Sequence, residues 1–535
     1  MIKASGPVGA QLIADLANSI IWAGRIPKDW EESFIINLYK GKGDALDRGN
    51  YRGLKLLDHV MKVIERVVEK LIRESVSINE SQFGFMPGRG TTDAIFILRQ
   101  MQEKFLSKNK QLFFAFVDLQ KAFDRVPRDV IWWSLRSLGV DEWLVRLVQS
   151  MYANARSRVR VGDSYSEEFP VQVGVHQGSV LSPLLFIIVI EALSRGFTVG
   201  CPFELLYADD LIIIAESKEE LLQRLSLWQS ELEKKGMRVN LGKTKIMVSG
   251  SNLNALIDSG KDPCGVCRKG VGSNSIRCTG CSYWIHKKCS GISGRLKDDP
   301  NFRCKRCLGL ARPIDPRPFV SMTLGEHPIE VVDSFCYLGD MVTPGGGCES
   351  SSICRTRVAW GKFHELLPIL TCKPIPLACR GMVYNTFVRS AMTYASECWP
   401  ITTNEISRMR RTDRAMIRWI CGVKLKDHVR FDLLLARLQI PDIEDLLRTR
   451  RLRWFGHVDR SSAWINRCMS YDIPANPNGQ GSKKKKWRSV IEDDMKKLKI
   501  PPSTTSDRAQ WRRLINQGLN EGNSRKPSTQ RRSGH

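Results

Sequence analysis

The 535-residue chain is 42% hydrophobic, enough for several buried cores, and carries 82 Lys and Arg against 56 Asp and Glu, a net charge of +26. A field that positive draws polyanions, nucleic acid ahead of an anionic membrane surface. A membrane span is not expected: the longest apolar stretch, Leu184 to Leu193, is broken by Glu191 and falls far short of the ~20 residues a bilayer needs. The N-terminal MIKASGPVGA lacks a basic start followed by an apolar run, so no secretory signal is read there. Of sixteen cysteines, seven lie between Cys264 and Cys307 and nine are scattered, which fits a reducing, intracellular setting.

Residues 1–110 read mostly as helix with short connections; HVMKVIERVVEKLIRESV (59–76) has apolar residues at helical spacing. QFGFMPGRGTTDA (82–94) is a Gly/Pro-punctuated loop entering another helix, followed by a strand in QLFFAFVDL (111–119) and a helix after Val126-Pro127. RSRVRVG (156–162) alternates as a half-exposed strand does, and an apolar helix follows GVHQGSVLSP (174–183). FELLYADDLIIIAES (203–217) predicts two short strands around an acidic turn, then a helix over 218–235 and a strand within MRVNLGKTKIMVSG. At about residue 250 the character changes to a linker, a Cys-rich module over 264–307 and a Pro-rich exit, ARPIDPRP. SFCYLGDMV (334–342) returns to strand character, 355–470 is helical and basic, and 471–482 reads as a linker. The tail holds KKKKWR (483–488), a short helix and a disordered basic end.

Three acids stand out. Asp118 ends the apolar strand FFAFVD, and Asp209 and Asp210 sit where tight apolar flanks force both carboxylates to a turn. If the strands are neighbours, three carboxylates converge at one sheet edge, and adjacent carboxylates without a cation repel unless a metal binds. Mg²⁺ prefers such hard oxygen ligands on rigid elements. Two ions ~3.5–4 Å apart suit nucleotidyl transfer, activating an attacking 3′-hydroxyl and stabilising leaving pyrophosphate.

FVDLQKAFDRV, QGSVLSPLLFIIVIEAL and LLYADDLIII, in this order, resemble the palm motifs of non-LTR (long interspersed element) retrotransposon reverse transcriptases. NYRGLKLL and SQFGFMPGRGTTDAI resemble that family's finger motifs, MRVNLGKTKIM the motif after its catalytic hairpin, and FCYLGDMV its primer grip. YASECWPIT, RAMIRWICGV and RLRWFGHVDR resemble its thumb and C-terminal region. The resemblance implies an RNA-directed DNA polymerase, a nucleotidyltransferase with an α/β (α+β palm) right-hand fold and helical fingers and thumb. Asp118 and Asp209 would hold two catalytic Mg²⁺, with Asp210 adjoining. Phe123 would lie under the incoming sugar and favour deoxynucleotides. Gln177, Gly178 and Ser179 would line the nascent base pair. Lys243, with Lys245 as rival, could protonate leaving pyrophosphate, and Arg52 and Arg89 are triphosphate contacts from the fingers. A basic helix carrying Arg408, Arg410, Arg411, Arg414 and Arg418 would face the duplex backbone. The implied partners are template RNA, primer DNA and deoxynucleoside triphosphates, with work in the nucleus after cytoplasmic passage. The sequence departs from the family at Gly53-Leu54-Lys55, where Pro-Ile-Ser is more usual. The family's endonuclease has no counterpart here, so target cleavage is expected from elsewhere or lost. The rival reading is a catalytically idle, domesticated or truncated remnant that binds nucleic acid or histone tails.

Cys264-x2-Cys267-x10-Cys278-x2-Cys281-x4-His286-x2-Cys289-x14-Cys304-x2-Cys307 supplies eight ligands, as two closed tetrahedral Zn²⁺ sites require. The order resembles a PHD finger. By that resemblance Cys264, Cys267, His286 and Cys289 would hold one ion, Cys278, Cys281, Cys304 and Cys307 the other, and Trp284 would be a packing residue. Histone tails are the partner so implied, although RKGVGSNSIR between Cys267 and Cys278 has no ring for a methyl-lysine cage. The expected organisation is fingers 1–110, palm 111–250, inserted two-zinc finger with linkers 251–318, primer grip 319–355, thumb and C-terminal region 356–470, and basic tail 471–535.

Overall fold

The computed structural model describes residues 2–41, 44–250, 264, 266, 274–280, 283–292, 302–305, 307–308, 321–474 and 484–524. The linkers expected on either side of the Cys-rich module, most of the 471–482 linker and the basic end lie outside the described residues, as do Cys267 and Cys281. The chain divides into two compact units: residues 1–98, 115–244 and 460–470, and residues 99–114, 245–459 and 471–535.

In the first unit, β1 (Glu32–Tyr39) pairs antiparallel with β2 (Tyr51–Leu56). These strands lie where helix was expected. Their apolar residues occupy both faces, with Phe34 and Leu38 exposed, so no alternation marks them in the sequence. The strand β3 (Leu112–Val117) enters this unit at Ala115, and its six side chains are all buried. Beyond it, β4 (Arg156–Val161) runs parallel to β1, with the short β5 (Ser164–Tyr165) and β6 (Phe169–Pro170) beside it. A second sheet orders β3, then β8 (Asp210–Ala215), then β7 (Glu204–Tyr207). The helix Ser182–Ser194 is apolar all round and almost wholly buried, as such a helix must be. The helix His59–Ser75 starts where the Asp58 carboxylate accepts from the Val60 and Met61 amides. Ser217 caps Lys218–Lys234 in the same way.

In the second unit, β9 (Lys245–Ser249) is joined by β13 (His327–Val331), which pairs with β12 (Ser321–Leu324). The Cys-rich module is built on a hairpin of β10 (Ser275–Arg277) and β11 (Trp284–His286), and FCYLGDMV is a hairpin of β14 (Phe335–Tyr337) and β15 (Asp340–Val342). Helices make up most of the remainder. The Arg389 and Asp413 side chains pair at 2.8 Å with no exposure, a geometry that satisfies both charges where neither could stand alone. The KKKKWR segment is not the start of a tail. Trp487 is wholly buried, donates its indole N–H to the Glu397 carbonyl, and opens the helix Trp487–Leu498; Trp511 in Arg508–Ser524 is equally buried. Among the described residues no helix is long and apolar enough to cross a membrane.

Candidate active site and metal centres

The hairpin β7–β8 turns through Ala208 and Asp209, between the paired Tyr207 and Asp210. Ala208 has φ +57°; a two-residue turn that follows the strand twist needs such a left-handed conformation, which costs a non-glycine residue energy. The turn is braced from outside. The Phe83 amide donates to the Leu206 carbonyl at 2.7 Å and the Leu206 amide to Ser81 at 2.9 Å. The Gln82 Oε1 accepts from both the Gly84 and Ala208 amides, at 3.0 and 3.1 Å. A Cβ on residue 84 would stand 2.5 Å from the Ala208 nitrogen, so only glycine lets this strap lie against the acidic turn.

Asp118 follows β3 directly. Its carbonyl accepts from the Asn240 amide at 2.8 Å, and the Gln120 amide donates to Arg238 at 2.8 Å. Since β3 lies beside β8, the two strands carry all three acids to one end of the sheet. Asp209 and Asp210 are exposed at the tip, yet the surrounding protein removes enough water to raise both. Loss of water and then the Asp118 charge raise Asp209, with Arg52 opposing. Loss of water and then the charges of Asp209 and Asp118 push Asp210 up to about 6. Mutual repulsion of this kind is what a divalent cation relieves, and the donor set is all oxygen. The three acids do not form a closed cluster: among the described residues, the only triads with ligand atoms all within 4.8 Å of one another are made of Cys and His.

The other expected site residues fall around this turn in different ways. Phe123 stacks on the fully buried Phe186, with centroids 4.6 Å apart and planes at 18°. Gln177 donates from Nε2 to Asp124 at 2.5 Å, and its carbonyl accepts from the Lys55 amide at 2.7 Å. Gly178 has φ +113°, and a Cβ there would meet the Lys55 carbonyl oxygen at 2.3 Å. The Gly53-Leu54-Lys55 departure thus lies in the strand that shapes this loop. Ser179 is turned inward, donating to Glu65 at 2.7 Å. Lys243 is exposed in the Asn240–Thr244 turn, whereas Lys245 is held by Glu330 at 2.5 Å. Arg52 is exposed. The Arg89 Nη1 contacts the carbonyls of Glu80 and Gln82 at 3.0 and 2.8 Å, so it also clamps its own loop. In the helix Thr403–Cys421, Arg408 and Arg410 are engaged by Glu349 and Glu444, and Arg414 and Arg418 lie over Phe431.

In the Cys-rich module, the ligand atoms of Cys264, His286 and Cys289 gather within 4.8 Å, as do those of Cys278, Cys304 and Cys307. The interleaved grouping is therefore present in the six ligands that are described. Backbone amides of His286 and Cys304 point at the Cys264 and Cys278 sulfurs, at 3.4 and 3.2 Å, the contacts expected of thiolates. This sulfur-and-imidazole chemistry fits zinc. Trp284 does not pack as expected. Strand alternation sends Ile285 into the core at no exposure and leaves Trp284 38% exposed beside exposed Tyr283.

Two families match this chain: "Reverse transcriptase (RNA-dependent DNA polymerase)" over residues 40–284 and "PHD-finger" over residues 264–307. A retrovirus-related Pol polyprotein from type-1 retrotransposable element R2 of Nasonia vitripennis is 28% identical over 260 residues, 47% of this chain and 25% of that protein. The RNA-directed DNA polymerase from mobile element jockey of Drosophila funebris is 28% identical over 241 residues, 42% of this chain and 26% of that protein. The chain thus spans about a quarter of the length of these relatives. The structure of apo telomerase from Candida tropicalis truncated from its C-terminal domain aligns with 45% of this chain and 56% of its own, at 15% identity and a TM-score of 0.33; at that level it speaks to neither ligand nor reaction. Residues 40–284 are thus similar to reverse transcriptases and residues 264–307 to PHD fingers, and the curated relatives over the first region are polymerases of non-LTR retrotransposable elements.

Proposed function

We propose that this chain is an RNA-templated DNA polymerase that extends a primer 3′-hydroxyl with deoxynucleotides, with Asp118, Asp209 and Asp210 at the reaction centre. The observation that carries the reading is the arrival of three mutually repelling carboxylates at one end of β3 and the β7–β8 turn. These residues would hold two Mg²⁺ ions, which when bound supply charge neutralisation for the attacking and leaving oxygens. The chain's own part is positioning. Gln177, tied to Asp124, and Gly178, with no side chain, offer a flat floor to the nascent pair. Phe123, fixed by its stack on Phe186, would lie under the incoming sugar and clash with a 2′-hydroxyl. Exposed Arg52 and Lys243 supply positive charge for the triphosphate and a proton for departing pyrophosphate, and Arg89 is the further triphosphate contact.

The PHD finger would hold two Zn²⁺ ions as structural elements and contact histone tails, which suits synthesis primed at chromatin in the nucleus. An idle remnant is not the favoured reading, since all three acids are retained and the turn that carries them is built in full. The test is extension of oligo(dT) on poly(rA) with Mg²⁺ and dTTP. The wild type should extend, and Asp209→Asn should not while still binding the primer–template. Extension undiminished in Asp209→Asn would refute the assignment.

A further inference from the structure

The segment that braces the acidic turn ends in an aromatic ring with no evident structural purpose. Phe85 follows Gly84 and adopts φ +56°, a conformation that bulky side chains avoid and that persists only where surroundings enforce it. The enforcement is visible. Gly84 is pressed against the Ala208 backbone, and the Arg73 Nη2 donates to the Phe85 carbonyl at 2.9 Å. Arg73 is in turn fixed by Glu69 at 2.8 Å. The ring so placed is not buried: Phe85 is 47% exposed. It stands edge-on to Phe123, with centroids 6.5 Å apart and planes at 78°. Strain and a half-exposed apolar ring both oppose folding. Features held at such cost cluster at ligand clamps.

We propose that Phe85 is a second wall of the nucleotide pocket, giving its open face to the sugar of the incoming deoxynucleotide at right angles to Phe123. This rests on the reading of Phe123 as the surface beneath that sugar. A ring without polar atoms favours apolar C–H surface and disfavours an added hydroxyl. Phe85 would therefore contribute to both nucleotide affinity and selection against ribonucleotides. Its placement against the strap couples the pocket wall to the turn that holds Asp209.

The test compares Phe85→Asn, Phe85→Gly and Phe85→Tyr. Asn and Gly suit the left-handed backbone and remove the ring; Tyr keeps it. With poly(rA)/oligo(dT), the first two should raise the KM for dTTP about 10-fold, near 1.4 kcal/mol, with kcat and primer–template affinity little changed. They should also narrow the preference for dTTP over UTP. Tyr should restore the KM. Phe85→Gly should melt no lower than wild type, separating a ligand role from a structural one. Gel-shift binding of dTTP to the complex with a dideoxy-terminated primer reads affinity without chemistry. Should wild type bind dTTP there yet fail to extend, the polymerase reading fails while the Phe85 comparison is still decided. An unchanged dTTP affinity in Phe85→Asn and Phe85→Gly, a loss confined to primer–template binding, or no dTTP binding by wild type would each overturn the proposal.

Discussion

The acidic turn and the Cys/His finger both gather ligand atoms from distant parts of the sequence, but they are held together differently. The strands carrying Asp118, Asp209 and Asp210 are lined by residues such as Phe114, Ile212 and Ile213 at 0–1% exposure, so burial of apolar surface fixes the carboxylates against their own repulsion. The finger has a core of Cys264, Ile276, Cys278, Ile285, Phe302 and Cys304, in which half the members are themselves ligands. On the proposed reading a metal would be an addition to the first site and a structural member of the second. Metal removal should accordingly silence one and unfold the other.

The largest expected effect is on the finger. Stripping zinc with a chelator, or Cys278→Ser, should abolish amide protection over β10 and β11. Structural zinc supplies roughly 10–16 kcal/mol of apparent folding free energy in small fingers, far beyond what six core residues provide. Hydrogen exchange reads this directly; protection that persists without metal would break the comparison. Next comes Asp118→Asn, which should lower primer extension by at least ~10³-fold without lowering the melting temperature, because it removes a repulsive charge. A melt depressed by several degrees would mean that Asp118 is a structural acid.

A third test sharpens how the turn is held. Gly84→Ala places a carbon where the Ala208 nitrogen already approaches to 2.5 Å, so strap or turn must shift. A displacement near 1 Å at a reaction centre can cost ~10²-fold in rate, and that loss should appear in kcat. Wild-type kcat in this variant would show that the strap does not position the acids.

The smallest effect concerns His176, buried on the Tyr152 ring at 4.2 Å between centroids. Burial first, then the charges of Lys55 and Arg128, hold its pKa well below 6.5. Lys55 is itself lowered to about 8 by burial and then Arg128. A histidine kept neutral in the fold adds stability that is complete above its unfolded pKa, near 6.5, and is lost as pH falls below that value. Thermal melts should therefore drop between about pH 6.5 and 5, and His176→Phe should flatten the slope. An identical slope in that variant would assign the acid sensitivity elsewhere.

The acid-bearing strands were legible because FFAFVD and LLYADDLIII join dense apolar runs to acids at a turn, a pattern carried by local chemistry. The finger's Cys and His positions stood out by their spacing, while their division between two clusters, seen in the six that are described, came from the resemblance. What stayed hidden depended on distant partners. In β1, ESFIINLY offers apolar residues to both faces, and its parallel partner β4 lies over a hundred residues away. The lysine run before Trp487 was assigned to a basic tail, although Trp487, Val490, Ile491 and Met495, all buried, keep helical spacing behind it. The Trp284 misplacement came from the resemblance; alternation around Ile285 would have put it outside. Phe85 stood within a recognised motif, but its meeting with Phe123 is a fact of three dimensions that no local pattern announces.

Convergence of the acids can be measured without relying on polymerisation. Fe²⁺ substituted for Mg²⁺ generates short-lived radicals with peroxide and ascorbate that cut the backbone beside the bound ion. The account predicts paired cleavage near residue 118 and near residues 208–210, competed away by Mg²⁺ and lost at both places together in Asp209→Asn. Cleavage at one location that survives the substitution, or at neither, would contradict a shared metal site.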